Sequence, residues 1–269
     1  MEKILNGISI SSLYESVANI LGVSTAEVIS FIQSQRYRVR HEEITTYCDN
    51  LTPDVIFDYF QKTPDDIQFD AITVSHVAAI IDDQSFYQHG ILSLKDLFLT
   101  ETPFKSFMLE YGIEPVVHEG GSLQLLLNGE PRSSNHLERR MRSDRCINGF
   151  LFGDRPESDR NVSEMVKCPE FISDISRDIL GKQILIEEWV RRAKPSVICL
   201  RVLLSELDES SYPFSTDDPK HNRCYLLCEA IERLLFAVTD HDADIPMVYL
   251  KENVSIGADR IIEIRETTT

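Results

Sequence analysis

Positive charge is scarce in this sequence. The 269 residues include 27 lysines and arginines against 44 aspartates and glutamates, which gives a formal net charge of −17 at pH 7. A chain with this balance is not expected to coat nucleic acid or an anionic membrane by bulk electrostatics, so any contact with nucleic acid has to be local. The acidity favours a basic partner instead.

Long apolar runs are also missing. No window approaches the ~20 apolar residues of a membrane span, and the opening stretch MEKILNGISISSLYES has no unbroken apolar core like that of a signal peptide. The six cysteines lack the dense spacing of a secreted disulfide scaffold. We therefore expect a cytoplasmic protein with reduced thiols and no membrane partner.

Common catalytic signatures are absent as well. The sequence contains no Gly-x-Ser-x-Gly, His-Glu-x-x-His or Gly-x-Gly-x-x-Gly motif. Near Gly181-Lys182, a phosphate loop would need an upstream glycine where Ser176 stands. His221, Cys224 and Cys228 have helical spacing and could hold zinc, but both cysteines fall on one apolar stripe, which favours buried core thiols and no metal site.

The first sixty residues have the pattern of three short helices. Helical spacing of apolar residues stops at Gly22, which suits the left-handed end of a helix. Ser24 and Glu27 have the capping-box form that opens a second helix, and a third begins after Thr52 with Pro53 in its first turn. Its predicted inward-facing residues are Val55, Ile56, Tyr59 and Phe60.

The sequence of this helical part is similar to that of a known module. The run SSLYESVANILGVSTAEVISFIQSQRYRV, followed by NLTPDVIFDYF, resembles the N-terminal helical module of bacterial translation initiation factor two over roughly Ile8 to Phe60, with an LGVS turn between two helices. The resemblance implies an adaptor. Residues 61–66 then combine a proline with paired acids, which marks a linker. We predict a small all-helical module at 1–62 and a second domain at 63–269.

The second domain mixes strands with helices. Segments rich in β-branched residues include ITVSHVAAI, GFLFGD, SVICLRVLL, IPMVYLKE and RIIEI, and a glycine turn near 120 joins PVVH to SLQLLLN as a hairpin. Helices are predicted at 82–90, at 94–111 with a break near Pro103, at 173–194 and at 224–238. The fold class is therefore α+β.

The order of these segments resembles the ADP-ribosyltransferase fold, over roughly residues 68–266. A histidine strand is followed by a short helix and a glycine, then by GFLFGDRPE, SVICLRVLLSELD and the late strand MVYLKENVSIGADRIIEI. The resemblance implies a split mixed sheet around NAD, and displacement of nicotinamide by a nucleophile on a protein or nucleic-acid acceptor. Small transferase domains of this kind resemble toxins of toxin–antitoxin or phage-defence systems, so the helical module is expected to dock a neutralising antitoxin or regulator.

The resemblance also implies a site. His76 matches the family's first-strand histidine, which holds the ribose of NAD. The family's late-strand glutamate falls near Met247, with Asp244 three residues before and Glu252 five after. Either carboxylate would stabilise the positive charge that develops on the sugar as nicotinamide leaves. A satisfied core histidine and solvated strand-end acids are the alternatives.

Aromatic and polar residues of the middle strands are further candidates. Phe150, Phe152 and Tyr249 have flat rings that could stack on nicotinamide, although alternating aromatics in strands are mainly core. Asp154 and Arg155 could face the cofactor or form an ion pair at a turn. The residues alone leave both alternatives open.

A cluster of arginines makes one segment of this acidic chain locally basic. Arg139, Arg140 and Arg142, flanked by Arg132 and Arg145, could seat a phosphate backbone or a pyrophosphate. A salt-bridged helix face is the alternative. Two other functions therefore stand beside the transferase: a catalytically inactive protein that keeps the fold and recruits a basic partner, and an RNA-binding or RNA-processing protein that uses these arginines.

Overall fold

The protein is described by a computed structural model that covers residues 3–42, 45–117, 123–132, 134–143, 146–152, 162, 166–208, 218–239 and 245–267. Helices and strands are mixed along this chain, which confirms the predicted α+β class. The described residues cluster into two compact units. Unit one draws on 1–75, 148–159 and 199–249, and unit two on 76–147, 160–198 and 250–269.

Helices and strands are interspersed through the described part of the chain. The described helices are α1 (Ile10–Leu21), α2 (Thr25–Gln35), α3 (Pro53–Phe60), α4 (Gln84–His89), α5 (Leu94–Leu99), α6 (Pro103–Glu110), α7 (Asn135–Ser143), α8 (Glu170–Asp178), α9 (Ile184–Arg192) and α10 (Pro219–Thr239). The described strands are β1 (Ile4–Leu5), β2 (Val39–Glu42), β3 (Thr45–Cys48), β4 (Ala71–Ile80), β5 (Ile113–Val117), β6 (Leu123–Leu127), β7 (Glu130–Arg132), β8 (Asn148–Leu151), β9 (Lys194–Leu203), β10 (Met247–Tyr249) and β11 (Ile261–Glu266).

Three sheets are formed by the described strands. The largest has the order β10-β8-β4-β9-β11, and β1 joins β4 in parallel. β8 is antiparallel to both neighbours, with Phe150 opposite Met247 on β10 and opposite Ser75 on β4. β2 and β3 form a separate hairpin, and β5, β6 and β7 form an antiparallel sheet in unit two. β4 and β9 each contribute residues to both units.

The helices of unit one follow the sequence pattern closely. Gly22 ends α1 with a left-handed φ of 67°, and Ser24 and Glu27 form the predicted capping box of α2. α10 packs against α1, α2 and α3. One predicted inward residue is wrong: Tyr59 is 47% exposed, and Phe57 is buried on α3 in its place. The predicted module at 1–62 lies within unit one, residues 63–269 supply both units, and the boundary between them stays a prediction.

Unit two is built around an aromatic core. Helices α5, α6, α8 and α9 contribute most of its side chains, including Phe98, Phe104, Phe107, Phe171 and Trp189. The predicted pairing of PVVH with SLQLLLN is confirmed as the antiparallel β5–β6 pair, whereas the glycine turn predicted near 120 lies outside the described residues. The predicted break near Pro103 is confirmed too, since α5 and α6 are separate helices.

Two predictions were wrong about continuity. The predicted helix at 173–194 is two helices, α8 and α9. They are separated where Gly181 takes a φ of 63° and the Ser176 hydroxyl donates to the Lys182 carbonyl at 2.6 Å. The predicted late strand is also interrupted, because a left-handed Asn253 turns the chain between β10 and β11.

Membrane-spanning potential in the described chain is confined to one bent pair of helices. No single helix there is long and apolar enough to cross a bilayer. α1 and the stretch 25–38 pass the same test only together, and they are bent by 105° at their break.

Candidate functional site

His76 lies on β4 where the strand ceases to be fully buried. Residues 71–75 are all buried, whereas His76 and Ala78 are half-buried and Val77 between them is buried. Alternation along a strand accounts for this pattern, since successive side chains point to opposite faces. The imidazole of His76 is therefore partly accessible, which a histidine sealed within packed hydrocarbon would not be.

The chain that follows His76 is joined to the late segment within unit two. Ile91 and Ile256 form an antiparallel bridge, in which each backbone N–H donates to the other residue's carbonyl at 2.9 and 2.8 Å. Gly90 permits this approach because it has a φ of 76°, and a Cβ added there would lie 1.8 Å from the Ile256 oxygen. The short helix α4 before Gly90 also packs against the 3₁₀ turn at Ala258–Arg260.

A hydroxyl relay lies beside this bridge. Ser93 caps α5, and its Oγ accepts from the Asp96 backbone N–H at 3.3 Å and donates to Asp96 Oδ2 at 2.9 Å. The Ser93 backbone N–H donates to Ser255 Oγ at 2.9 Å, and that hydroxyl donates to Asp96 Oδ2 at 2.9 Å. Sequence reasoning missed these residues. The Ser-x-x-Asp pattern signals a helix start, but nothing local identifies Ser255 as the third member.

Glu252 lies in the turn that leads to this relay. The turn runs from Lys251 to Val254 and is closed by a hydrogen bond from the Val254 N–H to the Lys251 carbonyl at 3.3 Å. Asn253 adopts a φ of 61°, and Glu252 is exposed. Glu252 and His76 both belong to unit two, whereas Asp244, the other predicted carboxylate, lies outside the described residues.

The aromatic candidates of unit one differ in accessibility. Phe152 is 2% exposed and packs against Gly7, where an added Cβ would lie 2.6 Å from its Cδ1. Phe150 is also buried, while Tyr249 on β10 is 39% exposed. Of these rings, Tyr249 offers the most surface for stacking, and the stacking roles stay predictions. Asp154 and Arg155 lie outside the described residues.

The arginine cluster lies on α7, whose start is tied to an acidic neighbour. The Ser134 hydroxyl donates to Asp178 Oδ2 at 2.6 Å and His136 Nδ1 lies 3.3 Å from the same oxygen. The hydrogen bonds from Ser134 and His136 lower the pKa of Asp178. The side chains of Arg140 and Arg142 lie outside the description. Their role with Arg139 in binding phosphate stays a prediction.

A titratable cluster joins α10 to the β2–β3 hairpin in unit one. Burial raises the pKa of Glu232 from 4.5 to about 7, with a further rise from Glu229, while a hydrogen bond from the Cys48 backbone N–H opposes the shift. Burial also raises the pKa of Cys48 to about 12 and raises that of Cys228, whose Sγ lies 3.5 Å from the Leu51 carbonyl. All six cysteines lie among the described residues and are thiols that form no disulfide. Cys48 and Cys228 are protonated at neutral pH and are therefore poor nucleophiles.

Comparison with known proteins provides no relative on which to base a function. The chain matches no family model, no curated protein and no solved structure. Across the described parts of the chain, no group of three or more histidine, cysteine, aspartate or glutamate side chains is placed to hold a metal ion. Function therefore has to be argued from the residues of each unit.

Proposed function

We propose that the protein is an NAD-dependent ADP-ribosyltransferase that modifies a macromolecular acceptor. The observation that carries the proposal is the Ile91–Ile256 bridge. The resemblance calls for a histidine strand and a late carboxylate that share one cofactor. The bridge supports this because it joins the chain that follows His76 to the chain that follows Glu252, within unit two.

The accessibility of the predicted residues is compatible with NAD. His76 is half-buried and Glu252 is exposed, so neither side chain is sealed in the core. In unit one Tyr249 exposes ring surface, whereas Phe152 does not. We therefore assign ribose binding to His76 and charge stabilisation to Glu252, while ring stacking by Tyr249 stays a prediction.

Each residue would contribute a different interaction. NAD, when bound, supplies the ADP-ribosyl group, and the bonding electron pair leaves with nicotinamide. A neutral His76 has one donor and one acceptor for a pair of ribose hydroxyls. The Glu252 carboxylate stabilises the positive charge that develops on the sugar. The acceptor's nucleophilic atom forms the new bond to ribose and gives up its proton.

The biological role that accompanies this activity is that of a toxin in a toxin–antitoxin or phage-defence system. A neutralising partner would then dock on the helices of unit one. This role follows from the resemblance of the transferase segment, and the acidic chain would favour a basic surface on that partner.

Labelled NAD tests the proposal. Wild-type protein incubated with a cell lysate is expected to transfer label to a macromolecule. His76→Ala and Glu252→Gln are each expected to lower the transfer rate by about a hundredfold, since each removes an interaction made with the reacting sugar. His221→Ala and Glu263→Gln are the matched controls and should keep the wild-type rate. Retained transfer in Glu252→Gln, with loss in Asp244→Asn, would move the catalytic role to Asp244.

A second candidate is a catalytically inactive binding protein that keeps the fold and recruits a basic partner. Its support is that the family's glutamate position falls near Met247, a side chain that carries no charge. Calorimetry distinguishes the two. Absence of NAD binding by the wild-type protein would reject the transferase and leave the binding protein.

A further inference from the structure

The hydrogen bonds at the N-terminus of α5 differ from those of an ordinary capping box. In an ordinary capping box, the N-cap backbone N–H would donate directly to the side chain three residues later. Here the Ser93 N–H donates to Ser255 Oγ, which donates in turn to Asp96 Oδ2. A hydroxyl from 159 residues further along the chain is thereby inserted into a local motif.

The inserted hydroxyl anchors the segment that carries the proposed catalytic acid. Ser255 follows the Lys251–Val254 turn directly and precedes Ile256, which forms the bridge to Ile91. The turn is therefore held at one end by two adjacent contacts, one through a side chain and one through the backbone. Glu252 lies only three residues before Ser255.

We propose that Asp96 is a positioning residue for the transferase reaction. Through Ser255, Asp96 holds the 251–254 turn so that Glu252 lies where its carboxylate acts. This assignment rests on the proposed function, because it needs Glu252 to be the catalytic acid.

The arrangement exceeds what a helix cap needs. A cap requires an acceptor for the free N–H groups of the first turn, and Ser93 Oγ already accepts the Asp96 N–H. Asp96 Oδ2 accepts a second hydroxyl, that of Ser255, from a distant part of the chain. Loss of that carboxylate would leave the partly buried Ser255 hydroxyl without this acceptor, which loosens the segment as well as the helix.

Paired variants separate positioning from helix capping. Ser255→Ala and Asp96→Ala remove the link between the late segment and α5, whereas Ser93→Ala removes the cap hydroxyl and keeps the Ser255–Asp96 pair. Ser255→Thr keeps a hydroxyl and serves as the conservative rescue. Asp83→Asn, at the start of α4 where the side chain makes no capping hydrogen bond, is the control.

Two readouts are measured on the full chain: hydrogen exchange of the Ile256 amide and label transfer from NAD. In Ser255→Ala and Asp96→Ala we expect the Ile256 amide to exchange about tenfold faster. We expect the transfer rate at saturating NAD to fall about tenfold, with half-saturation changed by less than about threefold. Ser255→Thr and Ser93→Ala should keep the rate, while Ser93→Ala should lower the thermal midpoint.

Each other result overturns part of the assignment. Unchanged exchange in Ser255→Ala would show that the relay does not hold the segment. Faster exchange with an unchanged transfer rate would reject positioning while the transferase stands. An equal loss of rate in Ser93→Ala and Ser255→Ala would reduce Asp96 to a helix cap. No transfer by wild-type protein would reject the proposed function and the positioning role together, while the exchange measurement would still judge the relay.

Discussion

At the scale of single residues, Glu232 is the clearest case of a side chain whose charged form is disfavoured by its surroundings. Its carboxyl is largely buried on α10, next to Glu229, and a hydrogen bond from the Cys48 N–H compensates only in part. The folded pKa of about 7 lies above the ordinary 4.5. The stabilisation that accompanies proton binding is therefore fully present below about pH 4.5 and is lost as the pH rises through about 7.

Glu232→Gln is expected to make the protein more stable in alkali. Glutamine keeps a carbonyl acceptor for the Cys48 N–H but carries no charge. Relative to wild type, we expect a gain of about 1–2 kcal/mol in the free energy of unfolding at pH 8.5, which allows for partial exposure, and little change at pH 5. Urea unfolding at the two pH values measures this. Glu15→Gln, on an exposed site of α1, is the control, and equal effects of the two variants at pH 8.5 would contradict the prediction.

At the scale of elements, the Ile91–Ile256 bridge depends on one glycine. Gly90 has φ 76° and ψ −156°, a region that is essentially confined to glycine, and its missing side chain leaves room for the Ile256 carbonyl. Gly129 offers a comparison, because its φ of 82° is also positive but nothing lies within 4 Å of an added Cβ.

Gly90→Ala is therefore expected to cost more than Gly129→Ala. The first variant suffers both backbone strain and a clash with backbone, and should lose about 3 kcal/mol or more, whereas the second suffers strain alone and should lose about 1 kcal/mol. Denaturant unfolding gives both values. Equal losses would mean that the chain near Ile256 moves aside without cost and that the bridge is not a firm contact.

Elements with local signals were predicted well from the sequence. Gly22, the Ser24–Glu27 capping box and Pro53 are each read from neighbouring residues, and the helices begin and end where these residues indicate. The β2–β3 hairpin was missed because Arg40, His41 and Glu42 carry no apolar alternation. The split between α8 and α9 was missed because the apolar pattern continues across it, although Gly181 marks the break.

At the scale of the whole molecule, the acidic charge restricts what the arginines of α7 can do. A net charge of −17 repels a polyanion, and the start of α7 lies beside Asp178. Phosphate binding by Arg139, Arg140 and Arg142 would have to overcome both the net negative charge of the chain and the neighbouring Asp178 carboxylate.

Single-stranded RNA is therefore expected to bind weakly or not at all at 0.15 M salt. Fluorescence anisotropy with a labelled 20-nucleotide RNA would measure this across a salt series, since contacts to phosphate weaken steeply with salt. Tight binding at 0.15 M salt that is lost on charge reversal at Arg139, Arg140 and Arg142, but kept on reversal at Arg191, would contradict the expectation and favour an RNA-binding function.

The candidate site was less predictable from the sequence than the helices. His76 could be proposed from the resemblance of its strand to the family's histidine strand, but the contacts that join the chain after it to the late segment are between residues distant in sequence. Ser93 meets Ser255 and Ile91 meets Ile256 only after folding. Sequence spacing predicts contacts within a helix or a hairpin. It does not indicate which residues will meet when two segments lie more than 150 residues apart.

The contact of α10 with α1, α2 and α3 has a consequence for biosynthesis. A ribosome that has finished α3 at Phe60 does not begin α10 until Pro219, and at about 5–20 residues per second this interval lasts roughly 10 to 30 seconds. Throughout it the nascent chain presents the apolar faces that α10 later covers. A chaperone that shields those faces during translation would raise the yield of native protein.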